Sequence, residues 1–386
     1  MAVIDSDQHL VEYRALWVDH IDPDCRGDAL RIEDDATGNT FLRWRDATLG
    51  VADVQTPGET DAIGDRRRRT RAGLPPLVPY DDALPADHWN PSARLGALDA
   101  MGLDEAVLFP NYGLLWERRV GTVSPPAMLA NMAAWNRWCA SVVADGSGRL
   151  HPVAHLALRD PEWIAIELAA LERAGVQLAM VAPALVDGKP LSHRDHDDIW
   201  SAFVHHGVTP VFHVADQPRV FDDAWYTDDD AEGLVNVVES VFLWTPAALA
   251  CADLIVNGTL ERFGDLRIGI VELSAVWVPM FLMMLDGGWD FTRRLNASVP
   301  YDLAHRPSDY FRRQVRVSAF AYELPNRLIR DVGDVFMCCS DYPHSEGTST
   351  PMADYAMHPR HGVEPATEPG LFSRNIESLL RRSGAS

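Results

Sequence analysis

Val3-Ile4-Asp5-Ser6-Asp7-Gln8-His9 runs from an apolar start straight into two side chains able to bind metal, Asp7 and His9, spaced i and i+2. In an extended strand, residues two apart point to the same face, so both can grip one divalent ion. A solvated acidic strand end would carry the same residues, so this stretch gains meaning only from the runs that follow it.

Short apolar or β-branched runs recur at residues 2–5, 106–109, 150–155, 177–181, 208–213, 266–272, 314–318 and 335–339, and helix-like segments follow most of them. Eight such runs alternating with helices predict an α/β fold, a (β/α)8 TIM barrel. Its parallel strands are buried on both faces and therefore read as continuous apolar stretches. Pro161–Ala174 carries Trp163, Ile164, Ile166, Leu168 and Leu171 at helical spacing, with Gly175 placed to stop the helix. Residues 128–143 repeat the pattern, with Trp135 and Trp138 read as core.

Two insertions interrupt this alternation, after the first and fifth strands. Residues 20–95 are rich in Gly, Pro, Asp and Arg and show little periodicity, so they are expected to cover one barrel end as a lid. Residues 216–247 are acidic and aromatic, with Trp225, Tyr226, Phe242 and Trp244, and follow His213 directly. Loops at strand C-termini build the active sites of such barrels, so this segment is read as a second active-site loop within a single domain spanning 1–386.

Composition narrows the partners. The 386-residue chain is 47% apolar and 23% charged, with 34 Lys and Arg against 56 Asp and Glu, a net charge of −22. That field repels nucleic-acid phosphates and anionic lipid headgroups, so neither nucleic acid nor a membrane is an expected partner. No run of 18 apolar residues exists and the first strand starts without a leader pattern, so a cytoplasmic location is expected. Cys25, Cys139, Cys251, Cys338 and Cys339 have no CxxC spacing and read as free thiols. Association as a homodimer is compatible with these features.

The candidate ligands all stand where a strand run ends: Asp7 and His9 at the first, His213 at the fifth, Asp341 at the eighth. Strand C-termini converge on one rim, so residues far apart in sequence meet there. Two imidazoles and two carboxylates suit one divalent metal ion, Zn, Fe or Mn, with a position left for water.

The start Ile4-Asp5-x-Asp7-x-His9-x-x-Glu12, with the late Ser340-Asp341-Tyr342-Pro343-His344-x-Glu346-Gly347, resembles the amidohydrolase-related, decarboxylase-like branch of the amidohydrolase superfamily. Phe263-Gly264-Asp265-Leu266-Arg267-Ile268, Val271-Glu272-Leu273, Trp277-Val278-Pro279 and Trp135-Asn136-Arg137-Trp138 are similar to that branch as well. The resemblance implies a distorted barrel with one divalent metal at Asp7, His9, His213 and Asp341. It departs from much of the superfamily in two ways. Asp7 replaces a first histidine, and residues 177–183 lack the lysine that bridges two metals, so one ion is expected. The sixth strand also carries Glu272 near the place where the decarboxylases present a histidine.

Taken from the residues alone, the parts suit hydrolysis. A bound cation lowers the pKa of water, and Asp341 or Glu272 can take its proton. Glu272 reads equally as a residue that orients a histidine ligand. The first expectation is therefore a mononuclear hydrolase of an ester, thioester or amide of a small organic acid. The alternative is a nonoxidative decarboxylase of an aromatic or dienoic acid. His344, Glu12 and Trp277 are expected around the ion or the substrate.

Arg66-Arg67-Arg68-Arg69 with Arg71 interrupts the acidic background. It reads as a solvated mobile loop or, more sharply, as a clamp for an anionic substrate such as a carboxylate or a coenzyme A phosphate. His193, His196, His205, His206, His358 and His361 are expected to face solvent, and His151 and His155 to line the pocket or sit satisfied in the core.

Overall fold

Eight buried, mostly β-branched or aliphatic strands wind into a parallel barrel. The structure, a computed structural model, describes residues 2–225, 237–357 and 368–380. The barrel strands are β1 (Ile4–Leu10) and, after the first insertion, β5 (Glu105–Pro110), β6 (Leu150–His155), β7 (Leu178–Met180), β8 (Thr209–His213), β9 (Ile268–Val271), β10 (Val315–Ala319) and β11 (Phe336–Cys338). They pair in parallel in chain order, from β1 round to β11. Each predicted run contains or overlaps one strand, so the (β/α)8 expectation holds.

The ring closes between the first strand and the last. His9 N donates to Tyr342 O at 2.7 Å and Asp341 N donates to Asp7 O at 2.9 Å. Alternate strand residues fill the interior: Ile4, Val107, Phe109, Val153, Leu178, Met180, Val211, Val271 and Met337 pack together. Ile376, Leu379 and Leu380 of the helix Asn375–Leu380 join them and plug the barrel floor. Thr209 Oγ1 donates to Leu379 O there. A Cβ on Gly269 would come within 3.2 Å of Leu379, so the missing side chain makes room for the plug. A second, larger apolar layer lies between strands and helices, and Trp135 and Trp138 belong to it as expected.

The helix Pro161–Ala174 forms as its spacing predicts. Asp160 caps its start by accepting from Trp163 N, and Gly175 ends it in a left-handed conformation.

The first insertion is more regular than its composition suggests. β2 (Leu30–Asp34), β3 (Thr40–Trp44) and β4 (Ala47–Val51) form an antiparallel meander. Each strand has only five residues, and the β3–β4 hairpin turns on Arg45 at φ 52° without an Asn-Gly signal, so neither period nor turn residue announces it. The insertion is tied to the C-terminal rim of the barrel. Gly58 N donates to Ser345 O, Ser345 N to Gln55 Oε1, and Tyr112 Oη to Asp53 O.

Three expectations are corrected. The arginine run is not a loop but part of the helix Thr60–Arg71. Arg67 Nε pairs with Asp53 Oδ2 at 3.0 Å, Arg66 reaches Val54 O and Arg69 reaches Pro75 O, so these side chains fasten the helix to its own insertion. His196 does not face solvent. It is buried, with Nδ1 on Pro190 O, because its 3₁₀ turn packs inward before the helix Asp197–His206. His206 is half-buried against Glu172. His155 is a satisfied core histidine, its Nε2 2.9 Å from Glu117. Tyr226, His358 and His361 lie outside the described residues. Cys139, Cys251, Cys338 and Cys339 are buried free thiols, and Cys25 is half-buried. Among the described residues no helix is long and apolar enough to cross a membrane.

One buried cation holds the end of β1. The Arg94 guanidinium, fully enclosed, donates to Gln8 Oε1, His9 O and Asp87 O at 2.8–3.0 Å. Burial pushes it down to about 10, still charged at neutral pH. Arg94→Met is expected to cost about 3 kcal/mol, because it strands these acceptors in the interior. Urea unfolding checks this, and a loss below about 1 kcal/mol, the range of an exposed ion pair, would contradict it.

Candidate metal centre

The C-terminal rim brings six of the singled-out residues together. Asp7 and His9 arrive from β1, His213 from the end of β8, Glu272 immediately after β9, and Asp341 and His344 after β11. Asp7, His9, His213 and Glu272 each offer a ligand atom within 4.8 Å of the others, as do His9, Glu272, Asp341 and His344. His9 Nε2 lies 3.5 Å from Asp7 Oδ1, 3.6 Å from Glu272 Oε2 and 3.2 Å from Asp341 Oδ1. His213 Nε2 lies 3.1 Å from Glu272 Oε2 and 3.5 Å from Asp7 Oδ1. The i, i+2 spacing of β1 therefore does point Asp7 and His9 to one centre.

Hydrogen bonds fix both imidazoles for ligation. His9 Nδ1 meets Pro110 O at 2.9 Å and His213 Nδ1 meets Val214 O at 2.8 Å. A carbonyl can only accept, so each Nδ1 carries a hydrogen, and each Nε2 is the nitrogen that turns a lone pair inward once its own proton is displaced. Those two nitrogens, both Asp7 carboxylate oxygens, Glu272 Oε2 and Asp341 Oδ2 are buried with no hydrogen-bond partner. Buried atoms of this kind would be costly if nothing satisfied them, and those of Asp7, His9, His213 and Glu272, grouped within 4.8 Å, fit a single divalent cation, with Asp341 beside His9 and Glu272. Nitrogen and carboxylate donors of this kind suit Zn, Fe(II) or Mn.

The backbone is bent to make this possible. Glu272 at φ 54° and Asp341 at φ 57° both occupy the left-handed region, which non-glycine residues rarely adopt. Ser318 Oγ accepts from Glu272 N, and Asp341 N is held by the closing bond to β1. Gly347 is required beside it. A Cβ there would sit 2.4 Å from Asp341 O and 2.7 Å from Ser340 O.

Glu272 does not orient a histidine through its outer nitrogen, since carbonyls hold both Nδ1 atoms; it faces His213 on the ligand side. Burial alone would raise its carboxyl, but contact with His213 and His9 outweighs this and holds it well below the usual carboxylate range. His344 has both nitrogens engaged, Nδ1 with Asp341 Oδ1 at 2.7 Å and Nε2 with Asn111 Oδ1 at 2.9 Å. Its ring lies 3.9 Å from that of His9. Asp341 is pushed up by burial and then by Glu272, while Asp341 holds His344 up against burial.

Other candidates sit further out. Glu12 is buried and accepts from Tyr112 N and Gly113 N, bracing the loop after β5; burial drives its carboxyl up to about 7. Trp277 is buried at the start of the helix Val278–Asn296, donating to Leu273 O and Ser274 O and stacked on Trp244. Arg66 and Arg67 face Asp53 rather than the cluster. Asn111 and the Pro110 carbonyl went unread, because a carbonyl has no residue signature and Asn111 resembles any loop asparagine. His213 also opens onto a hollow lined by Phe221, Phe242, Leu243 and Leu273, with Gln217, Arg219 and Glu239 as polar members.

No known protein family profile matches the chain, and no curated protein does. Solved structures do. An amidohydrolase from Mycobacterium avium subsp. paratuberculosis K-10 superposes with a TM-score of 0.75 at 20% identity, over 98% of this chain and 99% of that one. A 5-carboxyvanillate decarboxylase from Novosphingobium aromaticivorans, complexed with manganese and 4-hydroxy-3-methoxy-5-nitrobenzoic acid, gives 0.60 at 18%, covering 85% and 98%. A 2,6-dihydroxybenzoate decarboxylase from Rhizobium gives 0.56 at 15%, covering 98% of each. The chain shares their fold. These neighbours bear the amidohydrolase and decarboxylase names that the end motifs resemble.

Proton linkage gives a direct test of the centre. In the metal-free protein, burial would lower His213, but Asp7 and Glu272 hold it up to about 9, so Nε2 is protonated at neutral pH. A cation must displace that proton. Affinity for Mn²⁺ is therefore expected to rise between pH 6 and 9, as measured by calorimetric titration, and metal binding to release protons to the buffer. A pH-independent affinity would contradict the cluster as the binding site. His213→Ala and Asp7→Asn are each expected to lower metal content by ten-fold or more.

Proposed function

We propose that the chain is a metal-dependent, nonoxidative decarboxylase of a small aromatic or dienoic carboxylic acid. Its carrying observation is the set of six buried, unpartnered donor atoms converging at the rim, next to a hollow lined by Phe221, Phe242, Leu243 and Leu273. Two neighbouring folds with decarboxylase names, one holding manganese and a nitrobenzoic acid, support the same reading. The sequence alone favoured hydrolysis; the neighbours shift the weight to the alternative.

Asp7, His9, His213 and Asp341 Oδ2 would hold the ion, with Glu272 facing the same centre. Bound there, the cation supplies positive charge that anchors an anionic substrate and stabilises charge developing beside it. His344 and Asp341 Oδ1 share a proton 2.7 Å apart at the edge of the cluster. In the proposed reaction the bond between substrate carbon and carboxylate carbon breaks, CO₂ leaves, and the electron pair left on carbon takes that proton. Asn111 keeps the imidazole turned toward Asp341, and the apolar lining excludes water from the carbanion-like centre.

Hydrolysis remains the second reading, and Glu272 favours it. Its carboxylate faces the same centre as both imidazoles and is placed to meet a water there, although contact with His213 and His9 makes it a weak base. Incubating manganese-loaded protein with hydroxylated benzoates, carboxyvanillates and matching esters separates the two. CO₂ release with one proton taken up per turnover is expected, and acid release from an ester without CO₂ would establish hydrolysis instead. His213→Ala and Asp341→Asn are each expected to lower turnover at least 100-fold with near-native circular dichroism, Asn being chosen because it tolerates a left-handed backbone. Near-normal turnover in either variant would move the chemistry elsewhere.

A further inference from the structure

The helix Val278–Asn296 is apolar on two opposite faces. Val278, Leu282 and Leu285 are buried on the side that packs against the helices Thr245–Val256, Pro307–Gln314 and Pro325–Val332. On the other side, Met280, Met284, Phe291 and Leu295 are 50–69% exposed. Their spacing of four, seven and four residues places them on one stripe along the outer face, which Met283 and Val276 widen. Surface helices normally present polar residues there, and a contiguous exposed apolar patch of this extent marks a contact surface.

Gly287 and Gly288 stand at the middle of the stripe. An added Cβ at either would meet nothing within 4 Å, so the chain's own packing does not require a small residue there. Glycine weakens a helix interior, so two in succession need another cause. Close approach of an outside helix supplies one. The stripe is also symmetric about this pair. Met284 and Phe291 lie three residues out on either side, and Met280 and Leu295 seven residues out.

We propose that this face joins two copies of the chain. The two helices would cross antiparallel at Gly287–Gly288 about a two-fold axis, with Met284 against the partner's Phe291 and Met280 against the partner's Leu295. A stripe symmetric about its own midpoint is what a two-fold contact uses, since every residue then finds its counterpart in the reversed copy. Val276, Met280, Met283, Met284, Phe291 and Leu295 are each at least half exposed, so the stripe offers a broad apolar surface of the kind a two-fold contact buries.

Charge agrees as well. Two copies carrying −22 each must meet where the local field is weak. Beside the stripe, Asp286 and Asp290 are offset by Arg306, and Arg293 and Arg294 follow at the helix end. Val276, exposed in the turn between Glu272 and the helix, brings one end of the stripe to the rim that carries the metal-site cluster.

Sedimentation and light scattering on the full chain at micromolar concentration are expected to give twice the 42.9 kDa chain mass. The double variant Met284→Glu, Phe291→Glu is expected to run as a monomer with an unchanged circular dichroism spectrum, since both side chains are exposed in the single chain. Gly288→Cys is expected to form a covalent dimer under mild oxidation, whereas Ile166→Cys, 67% exposed on another helix, is not. A monomeric native chain, a double variant that stays dimeric, or a Gly288→Cys protein that crosslinks no more than Ile166→Cys would overturn the proposal.

Discussion

Two backbone hydrogen bonds, from His9 N to Tyr342 O and from Asp341 N to Asp7 O, close the barrel and assemble its rim together. They bring residues 7 and 9 beside residue 341 at hydrogen-bonding distance, a juxtaposition no local interaction could enforce. The buried groups behind the seam serve it. Asp5 accepts from Asp7 N, Ser340 N and Gln8 Nε2, Gln8 accepts from Arg94, and Arg94 reaches back to His9 O. An acid, an amide and a guanidinium thus form a satisfied network directly beneath a set of atoms that have no protein partner. The contrast matters, because buried polar groups are tolerated when paired and costly when not.

Strain and desolvation are concentrated at the same place. Glu272 and Asp341 hold left-handed backbones after β9 and β11, on either side of β10, and both aim carboxylates at His9. Such conformations persist only where surrounding structure over-determines them. Here Ser318 fixes Glu272, and Gly347 wraps so tightly against residues 340 and 341 that no side chain fits. The scaffold therefore spends stability on geometry at the rim and recovers it in the apolar layers below.

Most of the barrel was legible because parallel strands buried on both faces leave continuous apolar runs in the chain. The convergence of Asp7, His9, His213 and Asp341 was legible for a related reason, since all four sit where such a run ends. Glu272 was visible as a rim carboxylate, but its place facing His213 Nε2 depends on a φ angle that composition does not encode. The meander of residues 30–51 was hidden by five-residue strands and a hairpin without glycine. His196 was misread because a 3₁₀ turn carries no periodicity from which burial can be inferred, and the arginine helix because like charges look the same in a loop and on a helix anchored by Asp53.

The plug of the barrel floor bears on how the protein is made. Ile376, Leu379 and Leu380 enter the interior beside Ile4 and Val107, which are made long before them in the chain. The seam likewise waits for residues 341 and 342. Early strands can pair with one another during synthesis, but the ring stays open and its interior unfilled until the chain has been extended through residue 380. The emerging intermediate would expose apolar strand faces for most of translation, which is the condition under which chaperones are recruited.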